Sequence, residues 1–320
     1  MAGLLLLAAV FAAVHHAESV ALRIGQPYGA ILLAVAVTVI EVALIVSLLL
    51  DAPPESSSVA RDTVFAALMI VLNGIVGLCL LVGGLRHREQ SFQARGATAS
   101  LGVLGTVATL ALILPNYTLT TPGPLFAPAQ LVFVAAVSLG LYALFLFVQT
   151  VRHPEDFAEP AEVSHAPPGR GAFLVSLGAL PTALLGVVLL AESLSPSVEA
   201  GIAAAGLPSA FVGVVIAAVV LLPEGVTALR AAWGDRVQTS LNLALGSALA
   251  SICLTIPAVA LLSLLLGRPL ILGLEAEHVA LLMLSLFMGT LTLAVGRTTV
   301  LQGGIHLVIL GAFVVVAAVP

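Results

Sequence analysis

Lysine is absent from this chain of 320 residues, and charge of any kind is scarce, with Asp, Glu, Lys and Arg together at 8%. A soluble globular domain carries about 25%. That shortage excludes a water-soluble enzyme built on a large core. With 60% hydrophobic residues and a mean hydropathy of +1.19, the chain belongs in a membrane. The net charge of −5 offers nothing to a nucleic acid. The two cysteines, Cys79 and Cys253, lie inside long apolar runs, so neither a disulfide framework nor a metal cluster is expected. Phosphate-cradling Gly-rich motifs, nucleophile constellations and Cys/His metal spacings are also missing, which argues against an ATP-driven pump and against any bound cofactor. Residues 1–14 lack a basic n-region and are expected to begin a mature helix rather than a removed signal.

Long apolar runs are what the chain has in abundance. A span needs about 20 mostly apolar residues. Ten runs qualify: 2–22, 28–50, 59–85, 97–114, 127–151, 171–191, 207–229, 237–266, 278–295 and 298–319. They are continuous rather than alternating, which favours helices over barrel strands. The expected fold class is therefore an all-α polytopic membrane protein with ten transmembrane helices. The longest connector, 152–170, holds Glu155, Asp156, Glu159 and Glu162 and separates residues 1–151 from 171–320 as two five-helix halves. Basic loops stay in the cytoplasm. The odd-numbered connectors hold nine arginines and the even-numbered ones only Arg61 and Arg268. The split predicts that both termini lie outside and that the 152–170 loop is cytoplasmic, in a cell's inner (plasma) membrane.

The halves share features in the same order. The second span is entered through Gly25-Gln26-Pro27 and carries Glu41, sixteen residues after that Gly. The seventh is entered through Gly206-Leu207-Pro208 and carries Glu224, eighteen residues after its Gly. Asp62 opens the third span with Asn73-Gly74 starting eleven residues later, and Asp235 opens the eighth with Gly246-Ser247 at the same offset. An odd number of spans per half inverts the second against the first. Inverted repeats are typical of secondary transporters, whose ion sites lie near the midplane between the halves.

Glu41 and Glu224 are acids well inside apolar spans. An ionised carboxylate at a helix centre costs about 2.5–3.5 kcal/mol on insertion scales, so such groups are rare and usually functional. A protonated Glu hydrogen-bonded to a neighbouring helix is the structural alternative. Two facing carboxylates can hold a hard cation such as Ca²⁺, or each can take a proton, because a dry site and mutual repulsion favour the neutral form. Either guest neutralises the pair. If access switches only when the pair is neutral, cation and proton exchange. Thr38, Asn73, Asn242, Ser247 and Ser251 are candidate supporting ligands, with ordinary interhelical hydrogen bonding as the bland reading of each. Gly74, Gly77, Gly83 and Gly246 read as close helix packing. Pro223 either frees carbonyls beside Glu224 or is a tolerated kink. His15, His16 and Glu18 form either a proton entry or pH sensor, or an interfacial cluster facing headgroups.

The stretches His15-His16-Ala17-Glu18, Val39-Ile40-Glu41-Val42, Arg61-Asp62-Thr63-Val64-Phe65, Pro223-Glu224-Gly225 and Leu245-Gly246-Ser247-Ala248 resemble bacterial calcium (sodium, potassium)/proton antiporters. These form the cation/proton exchanger branch of the calcium:cation antiporter superfamily. The resemblance implies two inverted five-helix halves, an acid on the second helix of each half (here Glu41 and Glu224) at the ion site, and first and sixth helices that slide as a gate. Much of the superfamily has a Gly-Asn step shortly before each acid. Here Thr38-Val39-Ile40 and Leu222-Pro223 stand in those places. The expected function is exchange of cytoplasmic Ca²⁺ for external H⁺, with Na⁺ or K⁺ as the alternative cation and a non-transporting membrane scaffold as the alternative of another class. Partners are these ions and the lipid bilayer, with no nucleic acid, and self-association into a homo-oligomer is left open.

Overall fold

The computed structural model describes residues 2–25, 32, 35–43, 45, 58–158, 169–208 and 210–319. The ends of the predicted second span, the Gln26-Pro27 entry and residues 159–168 of the connector lie outside the described residues. The helices are α1 (Ala2–Ile24), α2 (residues 35–43), α3 (Val59–His87), α4 (Ala94–Tyr117), α5 (Pro128–Arg152), α6 (Arg170–Ala204), α7 (Phe211–Trp233), α8 (Val237–Leu266), α9 (Ala276–Leu293) and α10 (Val300–Ala318). All but α2 include a segment long and apolar enough to cross a membrane, nine among the described residues. The chain is an all-α multi-pass membrane protein.

The boundaries depart from expectation mainly in α6. It continues past 191 to Ala204, through Pro181 and Pro196. Glu192, Ser193 and Pro196 look like a stop in sequence, but a proline removes a single ladder bond, and the Ala-rich tail carries the helix on. Three helices contain π-turns, at Ile70–Ile75 in α3, Thr109–Ile113 in α4 and Val148–Arg152 at the end of α5. A π-turn inserts one extra residue and rotates everything beyond it.

Contacts between helices come in pairs related by exchange of the halves. α5 packs on α8 as α10 packs on α3, and α4 meets α8 as α9 meets α3. One large apolar cluster runs through α3, α4, α5, α7, α8, α9 and α10. α1 and α6 pack chiefly on each other, with a smaller cluster of Leu6, Val10, Ala13, Ile40, Val187 and Val220 joining them to α2 and α7. Outward-facing Leu4, Phe133, Leu144, Leu174, Phe287 and Val308 are exposed. An apolar surface that broad is tolerated only against lipid.

Among the described residues, two groups of connectors are joined by contacts on two faces. On one face, the two-residue strands β1 (Gln90–Ser91) and β2 (Arg297–Thr298) pair antiparallel, joining the α3–α4 and α9–α10 loops. Gln90 Nε2 donates to Asp235 Oδ1 at 2.8 Å, and Asn242 Nδ2 donates to the Phe157 carbonyl at 2.6 Å, adding the α7–α8 and α5–α6 loops. On the opposite face Leu125 bridges Ile271, and Asn116 Nδ2 donates to the Leu274 carbonyl at 2.6 Å. Arg61, counted with the connector ahead of the third span, is buried in the first turn of α3. It pairs with Asp62 at 2.7 Å and donates to the Gly273 carbonyl at 3.0 Å.

Glycine permits the close α3–α10 crossing. A Cβ on Gly303 would run into the backbone nitrogen of Leu81 and stand 2.7 Å from its Cα, and one on Gly77 would lie 3.0 Å from His306 Cβ. Gly246, by contrast, has open space beside it, which corrects its reading as a packing glycine. Gly303→Ala is expected to lower the thermal midpoint of the detergent-solubilised protein, at about 1–3 kcal/mol for overpacking. Gly304→Ala, with nothing within 4 Å, should leave it unchanged. Scanning fluorimetry of the two variants side by side measures this, and equal midpoints would contradict the tight crossing.

Candidate functional site

The site is assembled from α2, α3, α7 and α8. On α8, residues four apart share a face, and Ser247, Ser251 and Thr255 form such a hydroxyl stripe. Across it, α2 presents Glu41, which is 3% exposed. Ser251 Oγ donates to Glu41 Oε1 at 2.7 Å. Thr255 reaches toward the same carboxylate, but its hydroxyl makes no hydrogen bond. α3 contributes Thr63 and Ala67, again four apart, and α7 contributes Ile216, Ala217, Val220 and Leu221. These residues enclose a cavity of about 10 Å³ beside Glu41, Ser247 and Ser251, the room needed by about one water or small ion.

Glu224 stands one turn beyond Val220 on α7. Its stem is half-buried, but both carboxylate oxygens are fully covered and neither has a hydrogen-bond partner. Glu41 and Glu18 are close enough for their charges to act on it. Pro223, next to it, has no N–H, so the Val219 carbonyl loses its usual partner. α7 nonetheless runs unbroken from Phe211 to Trp233. α2 is likewise helical through residues 35–43, so no unwound backbone flanks Glu41 there.

The pattern of unsatisfied atoms is informative. A buried polar atom without a partner costs about 1–3 kcal/mol, and native structures hold few. Among the described residues nine buried side-chain atoms lack one, and five are oxygens of Thr38, Glu224, Ser247 and Thr255, residues of α2, α7 and α8. All five are oxygens, the atom type that a hard cation prefers, and Ser247 lines the cavity beside Glu41. No group of three or more His, Cys, Asp or Glu with metal-holding geometry occurs among the described residues.

The other sequence candidates fall elsewhere. Asn73, expected among the ligands, is fully buried but faces α9 and α10, donating to Ser285 Oγ at 2.8 Å and lying 3.0 Å from His306 Nδ1. The π-turn at Ile70–Ile75 rotates it away from the face that carries Thr63 and Ala67. Asn242 is held by Gln238 at 3.0 Å and by the Phe157 carbonyl at the loop end of α8. His16 Nδ1 lies 3.2 Å from Ser176 Oγ, tying α1 to α6, while His15 is exposed. Glu18 is half-buried and lies within electrostatic reach of His15 and Glu224. Thr63 and Thr255 were not anticipated. The fourfold spacing from Ser247 through Ser251 to Thr255 was a signal for the second, and Thr63 lies within the Arg61–Phe65 stretch that carries the family resemblance, though its spacing to Glu41 gave no role.

With this geometry in place, comparison with known proteins is direct. The sequence pattern of the family described as sodium/calcium exchanger protein matches residues 1–151 and 175–319. The chain is 55% identical over 325 residues to y4hA of Sinorhizobium fredii, named only as an ionic transporter, covering 99% of this chain and 87% of the other. It is 33% identical to the sodium-potassium/proton antiporter ChaA of Escherichia coli, over 96% of this chain and 85% of that one. Among solved structures, the Ca²⁺/H⁺ antiporter protein YfkE superposes with a TM-score of 0.75 at 15% identity, covering 100% of this chain and 99% of that one.

A cation that enters the site should stabilise the fold by mass action, by about 2.7 kcal/mol at a hundredfold excess over its Kd. Titrating Ca²⁺, Na⁺ and K⁺ separately against the thermal midpoint reads this directly. Ser251→Ala is expected to move the half-maximal concentration of the effective cation up about tenfold, the loss of a charge-assisted hydrogen bond. Ser138→Ala, whose hydroxyl donates only to Val134 in its own helix, should leave it in place. An unmoved titration in Ser251→Ala would remove that hydroxyl from the site.

Proposed function

The chain belongs to the sodium/calcium exchanger protein family, a family of secondary transporters, and from that premise we propose that it exports cytoplasmic Ca²⁺ in exchange for external protons. In this reading Glu41 and Glu224 hold the cation and the protons in turn. The observation that supports it is the set of buried, unpartnered oxygens of Thr38 on α2, Glu224 on α7, and Ser247 and Thr255 on α8. Those atoms lose hydration on folding and recover it only from a guest.

The mechanism follows from charge. Empty and ionised, the pair places two negative charges in an apolar bundle, a state too costly to carry across. One Ca²⁺ or two protons bring it to neutrality. A site that changes access only when neutral therefore cannot return empty, and flux of one ion is tied to counterflux of the other. The first and sixth helices, α1 and α6, are the elements that would move, since they pack on each other and apart from the main cluster. Glu18 and His15 on α1, near Glu224, form the proposed proton approach to it. His16 joins the moving pair through Ser176. The nine-to-two distribution of arginines supports an orientation with the termini outside a plasma membrane and the 152–170 loop in the cytoplasm.

Exchange of Na⁺ or K⁺ for protons is the second reading. It is favoured by the 33% identity to a relative named for those ions and by α2 remaining helical at Glu41, which withholds backbone carbonyls from a cation that prefers six to eight oxygens. The same two carboxylates serve either ion.

Proton flux in vesicles energised by a pH gradient and read with a pH dye tests both. Addition of the transported cation is expected to release the gradient, and Glu41→Gln and Glu224→Gln are each expected to abolish that release. Which of Ca²⁺, Na⁺ and K⁺ acts names the substrate. Silence with all three in folded wild-type protein would overturn exchange and leave the scaffold reading.

A further inference from the structure

A second cluster of buried polar side chains lies on the far side of α3 and differs in kind from the glutamate site. Asn73, Ser285 and His306 are 0–1% exposed and Thr292 is 3% exposed. Together they join α3, α9 and α10. Unlike the oxygens near Glu41, these groups satisfy one another, and the directions of their hydrogen bonds can be assigned. Ser285 Oγ lies 2.7 Å from the Leu281 carbonyl, which accepts its single proton, and 3.5 Å from Met69 Sδ. Ser285 therefore accepts from Asn73 Nδ2 at 2.8 Å. That orients the Asn73 amide so that Oδ1 faces His306 Nδ1 at 3.0 Å, and Nδ1 must carry the proton. His306 Nε2 is then free to accept from Thr292 Oγ1 at 3.2 Å. One directed chain runs from Thr292 through His306 and Asn73 to Ser285 and the Leu281 carbonyl. It has no spare lone pair aimed at a common point, so it does not read as an ion site.

Its position gives it another role. Asn73 sits within the Ile70–Ile75 π-turn of α3, a feature often found at functional sites. Ile75, in the same turn, packs against α7. Its Cδ1 and Cγ1 lie 3.3 and 3.5 Å from where a Cβ on Gly225 would stand. Gly225 is the residue after Glu224. The π-turn thus has the hydrogen-bonded chain on one flank and the backbone bearing Glu224 on the other.

We propose that His306, through its Nδ1–H bond to Asn73, is a positioning residue for Glu224: the chain holds the π-turn, and Ile75 on that turn sets the depth of Glu224 in the site. The role assigned to Glu224 rests on the antiport reading. The geometric relay does not, and it can be read without transport.

The test uses the full-length protein in proteoliposomes with four variants. His306→Leu removes both hydrogen bonds. His306→Asn keeps an N–H near the place of Nδ1. Thr292→Val removes only the Nε2 partner. Ile75→Ala leaves the chain intact but breaks the contact with Gly225. Two readouts are taken: KM for the transported cation, and the rate at which Glu224 is labelled by dicyclohexylcarbodiimide, followed by mass spectrometry of its peptide. Loss of an outer partner typically weakens a metal site by about 10–100-fold. His306→Leu and Ile75→Ala are expected to raise KM about tenfold or more and to change Glu224 labelling while labelling of Glu41 stays constant. His306→Asn and Thr292→Val are expected to stay within about twofold of wild type, the range of context-dependent scatter. If His306→Leu fails to fold, Ile75→Ala and His306→Asn still decide the matter. Unchanged Glu224 labelling in Ile75→Ala would overturn the relay, as would a His306→Asn variant no better than His306→Leu. Absence of cation-driven flux in wild type would sink the antiport reading alone, with the labelling comparison still deciding the relay.

Discussion

A carboxylate inside an apolar bundle must be met by a cation, a proton or a hydrogen-bond donor, and this chain has to meet that condition twice. Glu41 has one local donor in Ser251, and Glu224 has none. Most other charge is kept at helix ends and in loops, where water or an opposite charge is at hand. Even Arg61, buried in the first turn of α3, is matched at once by Asp62. Among the described residues, the two glutamates are buried acids with at most one hydrogen-bond donor between them. In the proposed exchange, that asymmetry is what a guest ion relieves.

Everything around the pair serves to hold oxygen atoms at fixed positions without adding charge. The α8 hydroxyls repeat every four residues, so a straight helix presents them as a line. The small residues Ala67 and Ala217 leave room for the cavity between α3 and α7. Farther out, glycines let α10 approach α3 at backbone distance, and the loops on each face are stitched to one another across the two halves. The large cluster is consequently a single body made from both repeats, with α1 and α6 as a separate layer against it.

The spans, their parity and the two acids were legible in the sequence because each depends on composition or local spacing. A run of apolar residues crosses a membrane wherever it occurs, and an acid in the middle of one is conspicuous. The direction in which a polar side chain points depends on helical phase, and the ideal helical repeat failed at particular places. The π-turn turned Asn73 toward His306, whereas an unbroken α-helix would have left it nearer the site. Asn242 was one turn short of the stripe and fell among the loop contacts of Phe157. Gly246 gave no sign that nothing would pack against it. Thr255 was reachable by extending the spacing of Ser247 and Ser251 by one more step. His306, alone in an apolar helix, acquires meaning from Thr292 across the α9–α10 loop and from Asn73, brought from more than two hundred residues away in the chain.

The unexpected length of α6 has a mechanical side. At about 1.5 Å per residue its 35 residues extend for about 52 Å, whereas the hydrocarbon layer is about 30 Å thick. The excess is continuous with the rest of the helix, except where Pro181 and Pro196 allow bending, and its Val198 and Ile202 pack on Phe211 and Val212 at the start of α7. Rotating the whole helix by about five degrees about one end sweeps its far tip through about 4–5 Å, a distance comparable to one helical turn. A small tilt among lipids is thereby geared up into a displacement that anything touching the tip would feel.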